Sequence, residues 1–196
     1  KKLNSHFDDA KLLELENKKK QCKHLVHKMT SDYELSQVPQ AFNLIIGKAG
    51  VGKTFFIKKF VKKSEANIAI VAPTAIAAIN IGGVTINSFF KLPLDVFDPN
   101  DPEIINTNSK YSVIDFLIID EISMVKSYQL DAIDKIMRAN NDQSKPFGGK
   151  AVLAFGDLYQ LGPITSDDSQ ANAFMNKHYN GSYWFFDSTI LKSLTG

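Results

Sequence analysis

The chain has 196 residues, 44% of them hydrophobic, enough to bury a substantial core within one domain of ordinary size. A formal net charge of +2 is too mild to argue by itself for a nucleic-acid or membrane-surface partner, so any such partner must be read from local motifs. Cys22 is the only cysteine, which excludes an internal disulfide, and no apolar run reaches membrane-spanning length or resembles a secretion signal; no membrane partner is expected, and a reducing, aqueous compartment such as the cytoplasm fits.

The chain opens Lys1-Lys2 without an initiator methionine and stops at Gly196 directly after a structured-looking stretch, so a longer parent protein is expected. From Lys11 to Met29, apolar residues at Leu12, Leu15, Cys22, Leu25, Val26 and Met29, with lysines between them, predict an amphipathic helix. A polar connection over residues 30–40 completes this lead-in of residues 1–40, and residues 41–196 hold the rest of what reads as one domain.

Phe42 to Ile46 is an apolar run of the kind a parallel sheet buries on both faces. It leads into Gly47-Lys48-Ala49-Gly50-Val51-Gly52-Lys53-Thr54, a full match to the phosphate-binding pattern G-x-x-x-x-G-K-[ST], and a helix-like stretch follows from Phe55 to Val61. The glycines let successive N–H groups point inward at phosphate oxygens, and the helix opening at Lys53 adds the positive end of its dipole. Lys53 is expected to reach the β- and γ-phosphates of a nucleoside triphosphate as a point charge. The Thr54 hydroxyl is expected to hold Mg²⁺, a hard ion that takes oxygen ligands. Lys58, Lys59, Lys62 and Lys63 fall on the same helix and read as its solvated face.

Apolar runs at Ile68 to Ala72, Phe116 to Ile119 and Ala151 to Phe155 predict three further buried strands. Strands alternating with helical stretches define an α/β class, three layers about a mainly parallel central sheet, and in such sheets functional residues gather at the carboxyl ends of the strands. After the second run comes Ala72-Pro73-Thr74, an Ala-rich stretch, and Asn87-Ser88-Phe89-Phe90. Small residues and hydroxyls there admit a sugar-phosphate backbone, with Phe89 or Phe90 as a stacking ring; a closely packed helix with both rings in the core is the other reading. Residues 91–110 are rich in Pro, Asp and Asn and predict a surface loop.

Phe116-Leu117-Ile118-Ile119-Asp120-Glu121-Ile122-Ser123-Met124 is an apolar strand ending in two consecutive carboxylates. In that position Asp120 is suited to bind Mg²⁺, directly or through water, and Glu121 to orient and deprotonate an attacking water. Gly156-Asp157-Leu158-Tyr159-Gln160 follows the last strand, and the Gln160 amide, both donor and acceptor, suits a γ-phosphate sensor. Arg138 is the only arginine, so the guanidinium that commonly stabilises transition-state charge in phosphoryl transfer is expected from outside these residues. Asn176-Lys177-His178-Tyr179 lacks the aspartate of a guanine-reading N/T-K-x-D, which argues against GTP.

Taken together, Gly47 to Thr54, Ala72 to Phe90, Leu117 to Val125, Lys145-Pro146-Phe147-Gly148-Gly149, Gly156 to Pro163 and the tail Tyr183-Trp184-Phe185-Phe186-Asp187-Ser188 resemble the Pif-type DNA helicases of superfamily 1, especially the bacterial ones. The resemblance implies the first of two RecA-like domains of an ATP-dependent motor that moves 5′ to 3′ on single-stranded DNA, with ATP and Mg²⁺ between the domains. It implies that Gln21 reads adenine, a surface-helix glutamine being the alternative, and that Thr74, Asn87, Ser88 and Phe89 contact DNA. Two positions depart from the family pattern. Asn87 replaces the usual His, keeping hydrogen bonding but losing a ring. Leu161-Gly162-Pro163 replaces Leu-Pro-Pro, which is expected to loosen the turn after Gln160. The alternative function is a non-helicase ATPase or a nucleotide-binding scaffold acting through protein partners, and the intact Lys53, Thr54, Asp120 and Glu121 argue against the scaffold.

Overall fold

A computed structural model describes residues 26–27 and 41–195. Its centre is a six-stranded sheet in the order β1 (Val26–His27), β2 (Phe42–Ile46), β6 (Ala151–Gly156), β5 (Phe116–Ile119), β3 (Ile68–Ala72) and β4 (Val84–Thr85). Every neighbouring pair is parallel, so all carboxyl ends lie along one edge. The pairing runs Phe42 opposite Val152 through Ile46 opposite Gly156, and Ile68 opposite Phe116 through Val71 opposite Ile119.

Alternation along the strands divides the core into two faces. Phe42 and Leu44, Leu117 and Ile119, Val152 and Ala154 join one buried cluster with Leu130, Ile133, Ile136 and Met137 of helix α5 (Ser127–Ala139). The intervening Ile45, Ile118, Leu153 and Phe155 face the other way. They meet Ile57 and Phe60 of α1 (Lys53–Lys63) and Ala78 and Ile81 of α2 (Ala75–Ile81). Burying each such aliphatic or aromatic side chain contributes about 1.5–3 kcal/mol, and both faces must be covered for an all-parallel sheet to stand in water. The expected three-layer α/β architecture is the one observed. The short helix α3 (Ile86–Phe90) flanks the β4 edge, α4 (Ser109–Ser112) packs on Phe89 of α3, and α6 (Ser169–Tyr179) and α7 (Thr189–Thr195) pack beyond α5.

Several local expectations change. The helix predicted to Met29 does not run through residues 26–27, where Val26 and His27 pair with Leu44 and Ile45 as an edge strand; the rest of that prediction lies outside the described residues. The four predicted strands are joined by this one and by β4, each only two residues long and so without a readable period. The run Phe42–Ile46 contains Asn43, which is buried and tolerated because its Nδ2 donates to the Val152 carbonyl at 3.3 Å. Residues 91–108 form no helix or strand, yet Leu92 and Ile104 sink into the main core and anchor this connection.

Candidate active site

The phosphate loop bridges β2 and α1, and its shape follows from three glycines. Gly50 and Gly52 take φ of 78° and 93°, left-handed values that side chains rarely adopt, and at Gly47 a Cβ would lie 2.7 Å from Val51 Cγ2. Gly52 opens α1 with no side-chain cap and no acidic residue in the first turn, so the free N–H groups of that turn are left for an anion. The Lys53 ammonium lies back over the loop, donating to the Gly47 carbonyl and, at 3.1 Å, to the Lys48 carbonyl. Thr54 stands exposed at the next position, and Lys48, Ala49, Gly50 and Val51 form the exposed rim.

β5 delivers Asp120, 5% exposed, whose amide donates to the Val71 carbonyl at 3.0 Å. Glu121 then turns the chain with φ 52° and ψ 45°, a left-handed conformation costing roughly 1–3 kcal/mol for a residue with a side chain. The turn is retained by the 3₁₀ segment Ile122–Met124, in which Met124 N donates to Glu121 O at 3.0 Å. Burial pushes the Asp120 carboxyl up, opposed by the Glu121 amide and by Lys53. Burial also pushes Glu121 up, reinforced by Asp120 and Asp157 and opposed by Lys53. Lys53 therefore acts on both acids, and the loop and the acidic pair form one electrostatic unit.

β6 contributes the third side. Its last residue, Gly156, accepts from the Gly47 amide at 3.0 Å, and a Cβ there would lie 2.8 Å from Ile122 Cγ2. Asp157, 5% exposed, accepts from Tyr159 N through its carboxylate and from Gln160 N through its carbonyl, both at 3.1 Å. That tight turn presents Gln160 half-exposed beside the acidic pair's strand. Asp157 was not singled out from sequence. Its signal was the Gly-Asp ending of the strand, which acquires meaning only when the turn is seen to set Gln160.

The residues expected at DNA gather further along the same edge. Thr74 caps α2, its Oγ1 accepting from Ala77 N at 3.2 Å, and Asn87, Ser88 and Phe89 lie on α3 after β4. Strand spacing of about 4.8 Å puts β4 roughly 19 Å from β2, so the two groups of residues are distinct sites on one edge. Asn87 is tied down: its Nδ2 donates to the Leu92 carbonyl at 3.3 Å and to that of Pro93, and its Oδ1 accepts from Gln129 Nε2 at 3.4 Å. Ser88 is exposed. Phe89 is half-buried, meeting Phe90 and Tyr111 edge-on at centroid distances of 4.9 and 5.7 Å. Lys110 Nζ stands 4.6 Å over the Phe89 ring and donates to the Phe89 carbonyl. Burial and the neighbouring Lys91 hold the Lys110 pKa below its ordinary value. Sequence gives no signal for Lys110 at this ring, because only folding brings residue 110 over Phe89 and within electrostatic reach of Lys91. Gln21 lies outside the described residues.

Arg138 pairs with Asp134 at 2.8 Å and donates to the Gln143 carbonyl at 3.1 Å, a structural role on α5. In the turn after Gln160, Gly162 packs against the edge of the Trp184 indole. Among the described residues no helix is long and apolar enough to cross a membrane.

A glycine-shaped anion loop with a lysine at its mouth, an acidic pair on the strand two places away and a glutamine between them define a phosphate-loop nucleotide-binding domain of the α/β class. The model of the PIF1-like helicase family matches residues 17–193, and the chain belongs to that family. It is 34% identical over 162 residues to the ATP-dependent DNA helicase Pif1 of Campylobacter jejuni, covering 76% of this chain and 34% of that protein. It is also 34% identical over 161 residues to the ATP-dependent DNA helicase PIF1 of Candida albicans, covering 77% of this chain and 18% of that one. The solved structure of Bacteroides sp Pif1 in complex with ADP-AlF4 superposes with a TM-score of 0.69 at 41% identity, over 76% of this chain and 35% of that one. Bacteroides Pif1 bound to ssDNA gives 0.67 at 39% identity, over 76% and 35%. The chain thus spans about a third or less of the length of these relatives.

Proposed function

We propose that this chain is the ATP-binding first RecA-like domain of a DNA helicase, working with a second motor domain of the same parent protein to couple ATP hydrolysis to 5′-to-3′ movement along single-stranded DNA. The observation that carries the reading is geometric: the Lys53 ammonium folds over the left-handed glycine loop onto the Gly47 and Lys48 carbonyls, and the Gly47 amide donates to Gly156 O at 3.0 Å, beside the turn that bears Asp157 and Gln160. In this reading the amides of Gly47, Lys48, Ala49, Gly50, Val51 and Gly52 cradle the phosphates, Gln21 reads adenine, and Lys53 neutralises charge on the β- and γ-phosphates.

The residues fit Mg²⁺. Thr54 offers an exposed hydroxyl and Asp120 a carboxyl whose pKa burial raises against the opposing pull of the Glu121 amide and Lys53, and among the described residues no set of three or more acidic, His or Cys side chains competes for a cation. Such a sparse protein contribution suits an ion completed by phosphate oxygens and water. When bound, it would neutralise charge that develops on the phosphates. Glu121, its pKa raised by burial and by its acidic neighbours, is the base that takes the proton of the attacking water, and Gln160 bonds the γ-phosphate and changes partner when that group leaves. The transition-state arginine comes from the second domain, so the chain alone hydrolyses ATP poorly; such an arginine is worth roughly 10³ to 10⁵ in rate.

Thr74, Asn87, Ser88 and Phe89 form the DNA contact, with Lys91 and Lys110 adding positive charge beside the Phe89 ring. The protein acts where its DNA is held, on the nucleoid if its source is bacterial. The test is binding of labelled single-stranded DNA to the chain, with and without a non-hydrolysable ATP analogue, across a salt series. The logarithm of the affinity should fall linearly with the logarithm of salt concentration, with a slope counting phosphate contacts. Nucleotide binding without detectable DNA binding at low salt would leave an ATPase acting through protein partners.

A further inference from the structure

Trp184 is the only tryptophan in the chain, and its indole is built into the loop that carries Gln160. A Cβ on Gly162 would lie 2.7 Å from both Cζ2 and Cη2 of the ring, so the loop backbone and the ring edge are in contact. Gly162 is not among the glycines of positive φ; glycine serves here for close approach and not for turn geometry. The ring is independently held. Phe186 stacks on it at 5.4 Å with 10° between planes, and the Trp184 backbone forms an antiparallel bridge with Lys126. The next residue, Ser127, donates its amide to Tyr183 O at 2.9 Å.

Lys126 follows the Asp120-Glu121 segment through the 3₁₀ turn Ile122–Met124, whose Ile122 is fully buried. One buried amide then links this point to α3: Gln129 Oε1 accepts from Lys126 N at 3.2 Å while its Nε2 donates to Asn87 Oδ1. We propose that Trp184 is a positioning residue for Gln160, its indole holding the Gln160–Pro163 loop in register with the strand segment bearing Asp120 and Glu121. The inference rests on the nucleotide reading above. It assigns to Gly162 and Trp184 together the job that a stiffer turn would do alone: because ring and loop backbone are in contact, a shift of the loop when Gln160 engages a γ-phosphate carries the indole with it.

The test uses the 196-residue chain, with binding of ADP and of AMP-PNP measured by calorimetry and Trp184 emission recorded for each complex. AMP-PNP should change the emission relative to ADP, and the difference should vanish in Gln160→Ala. Gly162→Ala, which pushes a Cβ into the ring, should narrow the preference for AMP-PNP over ADP by roughly tenfold, the scale of one hydrogen bond to a charged group, with ADP affinity kept. Trp184→Phe in that background removes the two crowded carbons and should restore part of the preference. Equal emission with both nucleotides bound, or an unchanged preference in Gly162→Ala, overturns the proposal. Binding of neither nucleotide overturns it together with the nucleotide reading, which separates the two failures. Should Gly162→Ala not fold, the emission comparison on the unmodified chain decides.

Discussion

The amide of Gly47 donates to the carbonyl of Gly156 at 3.0 Å, tying the first residue of the phosphate loop to the last residue of the strand that leads to Asp157 and Gln160. Through this bond the lysine-bearing loop and the turn bearing Gln160 share one hydrogen-bonded strand pair, β2 and β6. In the proposed reading a triphosphate seated on the loop lies beside the turn of Gln160 already held by this pairing, and such pre-organisation reduces the cost of binding.

Lys53→Ala should lower affinity for Mg-nucleotide by about ten- to a hundredfold, since a hydrogen bond to a charged group contributes about 1.5–3 kcal/mol. The fold should persist, because Lys53 sits at the first turn of α1 and touches only loop carbonyls. Titration with a fluorescent ADP, alongside circular dichroism, measures both. Unchanged affinity removes Lys53 from the site.

Glu121→Gln in the parent protein should retain ATP binding and lose about 10²- to 10⁴-fold in turnover, the range for a general base. A single-turnover assay separates the two quantities. Turnover equal to the unmodified protein would reassign the base.

The same substitution makes a prediction about stability and pH. Burial, Asp120 and Asp157 raise the Glu121 pKa in the fold above its ordinary 4.5. The unfolded chain therefore releases this proton first as pH rises. The favourable contribution of Glu121 is fully present below 4.5 and is lost as pH rises through the raised folded value. Glu121→Gln escapes that loss, so its Tm relative to the unmodified chain should rise between acid and neutral pH. A constant difference across the range contradicts the raised pKa.

Asp131 is 3% exposed and accepts from Tyr179 OH at 2.8 Å, Thr189 N at 3.0 Å and Ile190 N at 2.9 Å, pinning α6 and the start of α7 to α5. Asp131→Ala strands these donors and should cost about 3 kcal/mol in urea unfolding. Nucleotide affinity of the folded fraction should not move, since these contacts belong to α5, α6 and α7 and not to the loop.

Phe89→Ala and Lys110→Ala should weaken single-stranded DNA binding in different ways. Loss of the ring should cost about 1–3 kcal/mol with the salt slope unchanged, as for base stacking. Loss of the ammonium should reduce the salt slope by about one. Identical salt slopes for the two variants would place Lys110 away from phosphate.

The amino-acid sequence by itself determined the phosphate loop, the Asp120-Glu121 pair, the long strands and the family. Each of these is a local pattern, since a glycine spacing or a continuous apolar run carries its physics within a few residues. The tertiary structure alone decided the two-residue edge strands, the left-handed turn at Glu121, the placement of Lys110 over Phe89, and the Gly162 contact with Trp184. These depend on residues far apart in the chain, and neither period nor composition records which distant side chain will fill a given gap. Gly162 illustrates this: glycine's freedom is visible in sequence, but the indole that occupies the adjoining space is not.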